Sequence, residues 1–125
     1  MAVAIPHKGS RPNFLKYWLP VIFYAILVFL ISALPGDDIP ELFPGQSNPF
    51  HFFEYAVFGL LLSRAIRYQY PKEKILKRVM FTCTITVAYA LFDEIHQFFV
   101  PGRTAAFSDV AIDMAGSFLG SLFFR

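Results

Sequence analysis

Four long apolar segments follow one another along the chain, and short polar stretches separate them. About 20 apolar residues in a helix, at a rise of about 1.5 Å each, span a hydrocarbon core about 30 Å thick. The pattern therefore predicts four membrane-spanning helices, over residues 15–34, 49–68, 79–100 and 105–124. We expect residues 1–13 to form a flexible cytoplasmic tail and residues 14–125 to form one membrane domain.

The basic residues lie on one side of this arrangement. Of the 11 Lys and Arg residues, all except Arg103 lie near the N-terminus, around the connection between the second and third segments, or at the C-terminus. Basic residues favour the cytoplasmic side of a membrane. We therefore expect an all-α, four-helix transmembrane bundle, multi-pass in the cytoplasmic (inner) membrane, with both the N- and C-termini in the cytoplasm.

The composition agrees with a lipid environment. Hydrophobic residues make up 56% of the chain and charged residues 16%, whereas soluble domains have about 45–50% apolar and about 25% charged residues. Because the basic residues flank apolar segments and form no patch, we expect no nucleic-acid partner. Cys83 is the one cysteine in this sequence, so no Cys/His zinc motif is present.

Most acidic residues and two histidines lie toward the outer ends of the segments. Helical spacing places the polar residues of each segment on one face. The three faces carry His51, Glu54 and Tyr55; Asp93, His96 and Gln97; and Asp109, Asp113, Gly116 and Gly120. Ionisable groups at the centre of a membrane span cost about 2.5–3.5 kcal/mol each, so they face a protein interior or a wet cavity. We expect one pocket that opens outward, with Arg103 at its rim.

Two uses of this pocket involve binding. Imidazole and carboxylate groups at these spacings suit a divalent metal ion, which is the candidate cofactor. The predicted metal ligands are His51, Asp93, His96 and Asp109. Alternatively, a guanidinium and the backbone N–H groups of a helix start suit an anionic head group. The predicted substrate-binding residues are Tyr55, Gln97, Arg103, Ser108, Asp109 and Asp113.

A third use is acid–base or nucleophilic catalysis, in which a histidine carries the proton and a neighbouring carboxylate orients it. The candidate catalytic residues are His51, Glu54, Asp93, Glu94 and His96. A structural alternative stays open beside all three uses. Ser108 and Asp109 suit the start of a helix as cap and as charge on the helix dipole, and the whole set would then only order the helices.

Two stretches of the chain resemble a known family. The run Phe92-Asp93-Glu94-Ile95-His96-Gln97-Phe98-Phe99-Val100-Pro101-Gly102-Arg103, followed by Ser108-Asp109 and by Asp113-x-x-Gly116-x-x-x-Gly120, resembles the VanZ-like family of bacterial membrane proteins. The stretch His51-Phe52-x-Glu54-Tyr55-x-x-Phe58-Gly59-x-Leu61 resembles the HFxxYxxLGxL element of that family. The likeness covers residues 25–124.

The chain departs from the family pattern at two positions. A lysine that commonly precedes the first histidine is absent, with Gln46 and Asn48 nearby instead, and Asp113 stands where asparagine is more usual. The resemblance implies a common site formed by His51, Asp93, Glu94, His96, Gln97, Arg103 and Asp109. The family is named for a protein linked to resistance to the glycopeptide teicoplanin, whose target is an extracytoplasmic wall precursor.

Three functions are consistent with these expectations. The first is a cell-envelope protein whose pocket binds an anionic lipid or a lipid-linked wall precursor and lowers sensitivity to teicoplanin. The second is an intramembrane, metal-dependent hydrolase or transferase acting on lipids, so whether the protein is an enzyme stays open. The third is a structural or partner-binding membrane subunit. The oligomeric state stays open as well.

Overall fold

The computed structural model describes residues 11–124, and these residues form four α-helices and no β-strand. The elements are α1 (Arg11–Ser32), a short 3-10 helix (Gly36–Asp38), α2 (Ser47–Gln69), α3 (Ile75–Phe98) and α4 (Phe107–Ser121). The all-α prediction is confirmed for this part of the chain. Residues 1–10 of the predicted tail lie outside the described residues, and α1 begins at Arg11.

Two helices are long and apolar enough to cross a membrane. They are α1, over Asn13–Ser32, and α3, over Ile75–Phe98. The other two helices differ from them in composition or length, because α2 contains more polar residues and α4 has 15 residues. Length and composition therefore support membrane crossing most directly for α1 and α3.

The closest helix packing is between α2 and α4. A Cβ atom added to Gly120 would overlap the backbone carbonyl oxygen of Ala56, and one added to Gly116 would overlap that of Phe52. The two backbones therefore approach at positions where α4 has no side chain, as at the small-residue interfaces of membrane helices. This contact fixes the position of α4 relative to the start of α2.

Hydrogen bonds between side chains and backbone join the other helices to this pair. The hydroxyl oxygens of Thr86 and Ser117 lie 2.6 Å apart and link α3 to α4. The Tyr24 hydroxyl of α1 donates to the backbone carbonyl of Glu54 in α2, at 2.8 Å. The Tyr89 hydroxyl of α3 donates to a backbone carbonyl of α1. Thus α1 lies against α2 and α3, on the side of the bundle away from α4.

The polarity of the interior and the surface is typical of a protein in lipid. The buried residues include many polar ones: Ser32, Ser63, Thr82, Thr86, Asp93, Glu94, Asp113, Ser117 and Ser121. The exposed surface carries large apolar side chains, and Phe23, Phe53 and Phe98 are 68%, 66% and 74% exposed. Polar groups inside and apolar groups outside are the arrangement that a bilayer favours. Together with the two long apolar helices, this pattern indicates a membrane protein.

Candidate functional site

The site is built around His51, which lies near the start of α2 and faces α4. Its Nδ1 lies 3.0 Å from Oδ1 of Asp113, and the two residues are 9% and 1% exposed. Because an ionised carboxylate only accepts hydrogen bonds, Nδ1 is the donor when Asp113 is ionised. The Nε2 atom of His51 lies 3.8 Å from Oδ2 of Asp109, one helical turn before Asp113.

Glu94 of α3 contributes a second carboxylate to the same place. One ligand atom from each of His51, Glu94 and Asp109 lies within 4.8 Å of the others, and we call these three residues the acid–histidine cluster. Oε2 of Glu94 accepts the backbone N–H of Ala106 at 3.0 Å, just before α4 begins. Oε1 is buried and has no hydrogen-bond partner among the described residues.

The acid–histidine cluster shares His51 and Asp109 with the predicted metal ligands, but it contains Glu94 in place of Asp93 and His96. Successive residues of a helix point about 100° apart. Glu94 therefore faces α4, while Asp93 faces α1. His96 lies away from the cluster and stacks on Phe29 of α1, with ring centroids 4.6 Å apart.

A second polar group joins α3 to the end of α1. Nε2 of Gln97 donates to Oγ of Ser32 at 2.9 Å and to Oδ2 of Asp93 at 3.3 Å. Oδ1 of Asp93 is buried without a partner within residues 11–124. No sequence pattern pointed to Ser32, because a lone serine at the end of an apolar helix belongs to no motif.

A groove of about 570 Å³ lies between α1, α2 and α3. Its walls include apolar side chains of α1 and α2, among them Leu27, Ile31, Phe53 and Val57. Its polar lining includes five predicted site residues, namely His51, Glu54, Asp93, Gln97 and Arg103. The groove therefore combines an apolar wall with a strongly acidic polar surface, and its size is that of a small-molecule site.

Arg103 lies at one end of the groove and holds the C-terminal end of α1. Its Nε donates to the backbone carbonyl of Leu34 at 2.9 Å, and its Nη2 donates to that of Ile31 at 2.7 Å. Burial lowers the pKa of the guanidinium, and the carboxylates of Asp93 and Glu54 act in the opposite direction. Arg103 therefore has a structural contact that the sequence pattern did not indicate.

Four predicted substrate-binding residues do not line the groove, namely Tyr55, Ser108, Asp109 and Asp113. Tyr55 is completely buried against Phe58, with ring centroids 5.8 Å apart, and its hydroxyl has no partner within the described part of the chain. Ser108 is exposed. The N-cap of α4 is Ala106, so Ser108 does not cap this helix, and Asp109 is the acidic residue of its first turn.

Comparison with known protein families shows to which family the chain is similar. A family model described as VanZ/LLP1 matches residues 9–125, which is nearly the whole chain. No curated protein and no solved structure matches the chain. The match includes every residue of the acid–histidine cluster and of the groove.

Proposed function

The chain belongs to the VanZ/LLP1 family, and we propose that it binds the head group of an anionic lipid or a lipid-linked wall precursor at the outer face of the cytoplasmic membrane. In this proposal all four helices cross the bilayer and both termini lie in the cytoplasm. The distribution of the basic residues supports this orientation, because Arg103 is the one Lys or Arg among residues 11–124 that lines the groove.

The length of α4 supports a site below the membrane surface. Its 15 residues make a helix about 22 Å long, which is shorter than a hydrocarbon core of about 30 Å. If its C-terminal end reaches the cytoplasmic interface, its first turn with Asp109 lies within the outer leaflet. The acid–histidine cluster then lies below the lipid head groups, at the depth of the upper parts of the lipid chains.

The single observation that carries the proposal is the mixed lining of the groove. The apolar wall, with Leu27 and Ile31 of α1 and Val57 of α2, suits an acyl or isoprenoid chain. The polar surface suits a head group that offers hydroxyl and amide donors, since carboxylates are acceptors. A lipid lying in the outer leaflet presents both parts to such a groove.

Arg103 supplies the contact for the anionic part of the ligand. Within residues 11–124, its hydrogen bonds to α1 use Nε and Nη2, which leaves Nη1 for a phosphate oxygen. A guanidinium anchored in this way is pre-organised, so less side-chain entropy is lost when the phosphate binds. Teicoplanin resistance would follow if the bound lipid were the wall precursor that the glycopeptide recognises.

Blocking the groove tests this function. The side chain of Val57 is 44% exposed and lines the groove, so Val57→Trp fills it without removing a polar contact. Leu119→Trp is the matched control, because Leu119 is 54% exposed on α4 and does not line the groove. Native mass spectrometry of the purified full chain would count retained phosphatidylglycerol and lipid-linked wall precursor.

We expect Val57→Trp to lose most of the retained lipid and Leu119→Trp to keep it. In a strain where deletion of the protein changes teicoplanin sensitivity, Val57→Trp should reproduce the deletion. Equal lipid retention by both tryptophan variants, with normal helical content, would overturn the proposal. If Val57→Trp reproduced the effect of the deletion on teicoplanin sensitivity while it still retained lipid, the structural or partner-binding function would be favoured instead.

A further inference from the structure

We propose that the acid–histidine cluster binds one divalent transition-metal ion, with His51, Glu94 and Asp109 as its protein ligands. Their ligand atoms lie within 4.8 Å of one another. Each residue belongs to a different helix, His51 to α2, Glu94 to α3 and Asp109 to α4. Zn²⁺ is the best match, because it accepts imidazole and carboxylate ligands together. Ca²⁺ and Mg²⁺ are poorer matches, because their sites are built from oxygen ligands.

The orientation of His51 is the first argument. In a neutral His51 that donates its Nδ1–H to Asp113, Nε2 is the nitrogen left to bind a metal, and this atom lies 3.8 Å from Oδ2 of Asp109. Histidines that bind metals generally donate their second nitrogen to a carboxylate in this way. Asp113 is therefore a positioning residue that holds the imidazole for the metal and is not itself a ligand.

The state of Glu94 is the second and independent argument. Its side chain is 3% exposed, and Oε1 has no hydrogen-bond partner in the described part of the chain. A buried carboxylate without a compensating charge is costly. Arg103 is already bonded to carbonyl groups at the end of α1. A cation between Glu94 and Asp109 would supply the missing charge.

Three protein ligands leave at least one coordination position for water or for another ligand. His51 also lines the groove, so the ion lies beside the proposed lipid site. The metal site rests on the acid–histidine cluster alone and does not require that a lipid binds. Its test therefore measures the metal, and a negative result there leaves the lipid measurement unaffected.

The experiment uses the full chain in detergent, stripped with a chelator and then incubated with Zn²⁺ alone. We expect elemental analysis after desalting to find about one Zn²⁺ per chain, and calorimetry to give its Kd. Glu94→Gln keeps an oxygen acceptor for the Ala106 N–H, and Asp109→Asn changes a partly exposed residue. Both variants should fold, and both should lose Zn²⁺ binding.

Two further variants separate a metal site from general electrostatics. Asp113→Asn should weaken Zn²⁺ binding about 10-fold, because a metal-binding histidine binds less tightly when the carboxylate that accepts a hydrogen bond from its other nitrogen is replaced. Glu41→Gln removes the same charge from an exposed residue outside the cluster and should bind Zn²⁺ like the parent protein. Cobalt substitution gives a second readout, because ligand-field bands of bound Co²⁺ should disappear in Asp109→Asn.

The outcomes are decisive in both directions. The proposal is overturned if the parent protein retains no Zn²⁺, or if Glu94→Gln and Asp109→Asn bind Zn²⁺ as tightly as Glu41→Gln does. A Zn²⁺-dependent rise in melting temperature should accompany binding in the parent protein and in Glu41→Gln, and should be absent in Glu94→Gln and Asp109→Asn. Circular dichroism would verify that each variant keeps its helices, and a variant that unfolds is replaced by Asp109→Ser.

Discussion

The Nδ1 atom of His51 lies 3.0 Å from Oδ1 of Asp113, although the two residues are 62 positions apart in the chain. This hydrogen bond joins α2 to α4 inside the interface where the two helices approach most closely. Because both side chains are nearly buried, the bond satisfies two polar groups that have little access to water. It also decides which nitrogen of the imidazole faces Glu94 and Asp109.

The first prediction concerns the stability that this bond provides. Asp113→Leu removes the acceptor and leaves the Nδ1–H of His51 buried without a partner. We expect the free energy of unfolding to fall by about 1–3 kcal/mol, which is the cost of an unsatisfied buried group. Unfolding of the purified protein by titration with denaturing detergent would measure the change.

Asp113→Asn is the matched control for this prediction. Its amide oxygen still accepts the hydrogen bond from His51, so the loss of stability should be much smaller than with leucine. Equal losses for the asparagine and leucine variants would show that the charge of Asp113, and not the hydrogen bond, stabilises the interface.

A second prediction concerns the close contact between α2 and α4. Gly120→Leu places a side chain where the backbone carbonyl of Ala56 already lies, so the helices must separate. We expect a loss of about 1–3 kcal/mol, as for other overpacked sites, and loss of the His51–Asp113 bond with it. Ala115→Leu adds the same side chain at an exposed position of α4 and should be nearly neutral in the same denaturation assay.

A third prediction tests the structural contact of Arg103 with the end of α1, separately from its proposed contact with a phosphate. Arg103→Met removes the donors to the carbonyl groups of Leu34 and Ile31, and each such charged hydrogen bond contributes about 1.5–3 kcal/mol. Amide exchange in the last turn of α1 should therefore rise by about tenfold or more. Arg67→Met changes an exposed arginine at the end of α2 and should leave that exchange unchanged, and a similar rise in both variants would contradict the contact.

The fold was largely predictable because its determinants are local. Runs of apolar residues indicate helices, and the glycines of α4 indicate a close helix contact. The sequence pattern does not specify which neighbouring helix each helix face packs against. Asp93 and Glu94 are neighbours in sequence, but a rotation of about 100° sends one toward α1 and the other toward α4. Only the packing of the bundle decides which of them joins His51.

Arg103 illustrates a second limit of sequence reasoning. Its isolation among the basic residues made it a natural anion-binding residue, and nothing in the spacing indicates that it reaches the carbonyl groups of Ile31 and Leu34, about 70 positions earlier. The loops explain this contact. The backbone N–H of Gly36 donates to the carbonyl of Pro101 at 3.0 Å, and this bond brings the connection after α3 against the end of α1.

A fourth prediction tests the orientation in the membrane. In a Cys83→Ser background, a cysteine at Thr104 should react with a membrane-impermeant maleimide added to intact cells. A cysteine at Lys72, in the connection between α2 and α3, should react only after the membrane is permeabilised, since the basic connections are expected in the cytoplasm. Labelling of both positions from the same side would rule out the four-span arrangement.

The last prediction concerns the polar contact between α3 and α4 below the site. The hydroxyl groups of Thr86 and Ser117 are 2.6 Å apart and fully enclosed. Within membranes such hydrogen bonds contribute about 0.6 kcal/mol on average and at most about 1.7 kcal/mol. A double-mutant cycle of Thr86→Val and Ser117→Ala should therefore give a coupling energy in this range. Because the contact lies away from the acid–histidine cluster, neither single variant should change the Kd for Zn²⁺. A change in Zn²⁺ affinity without a change in stability would mean that loss of this contact shifts α4 and displaces Asp109 from the acid–histidine cluster.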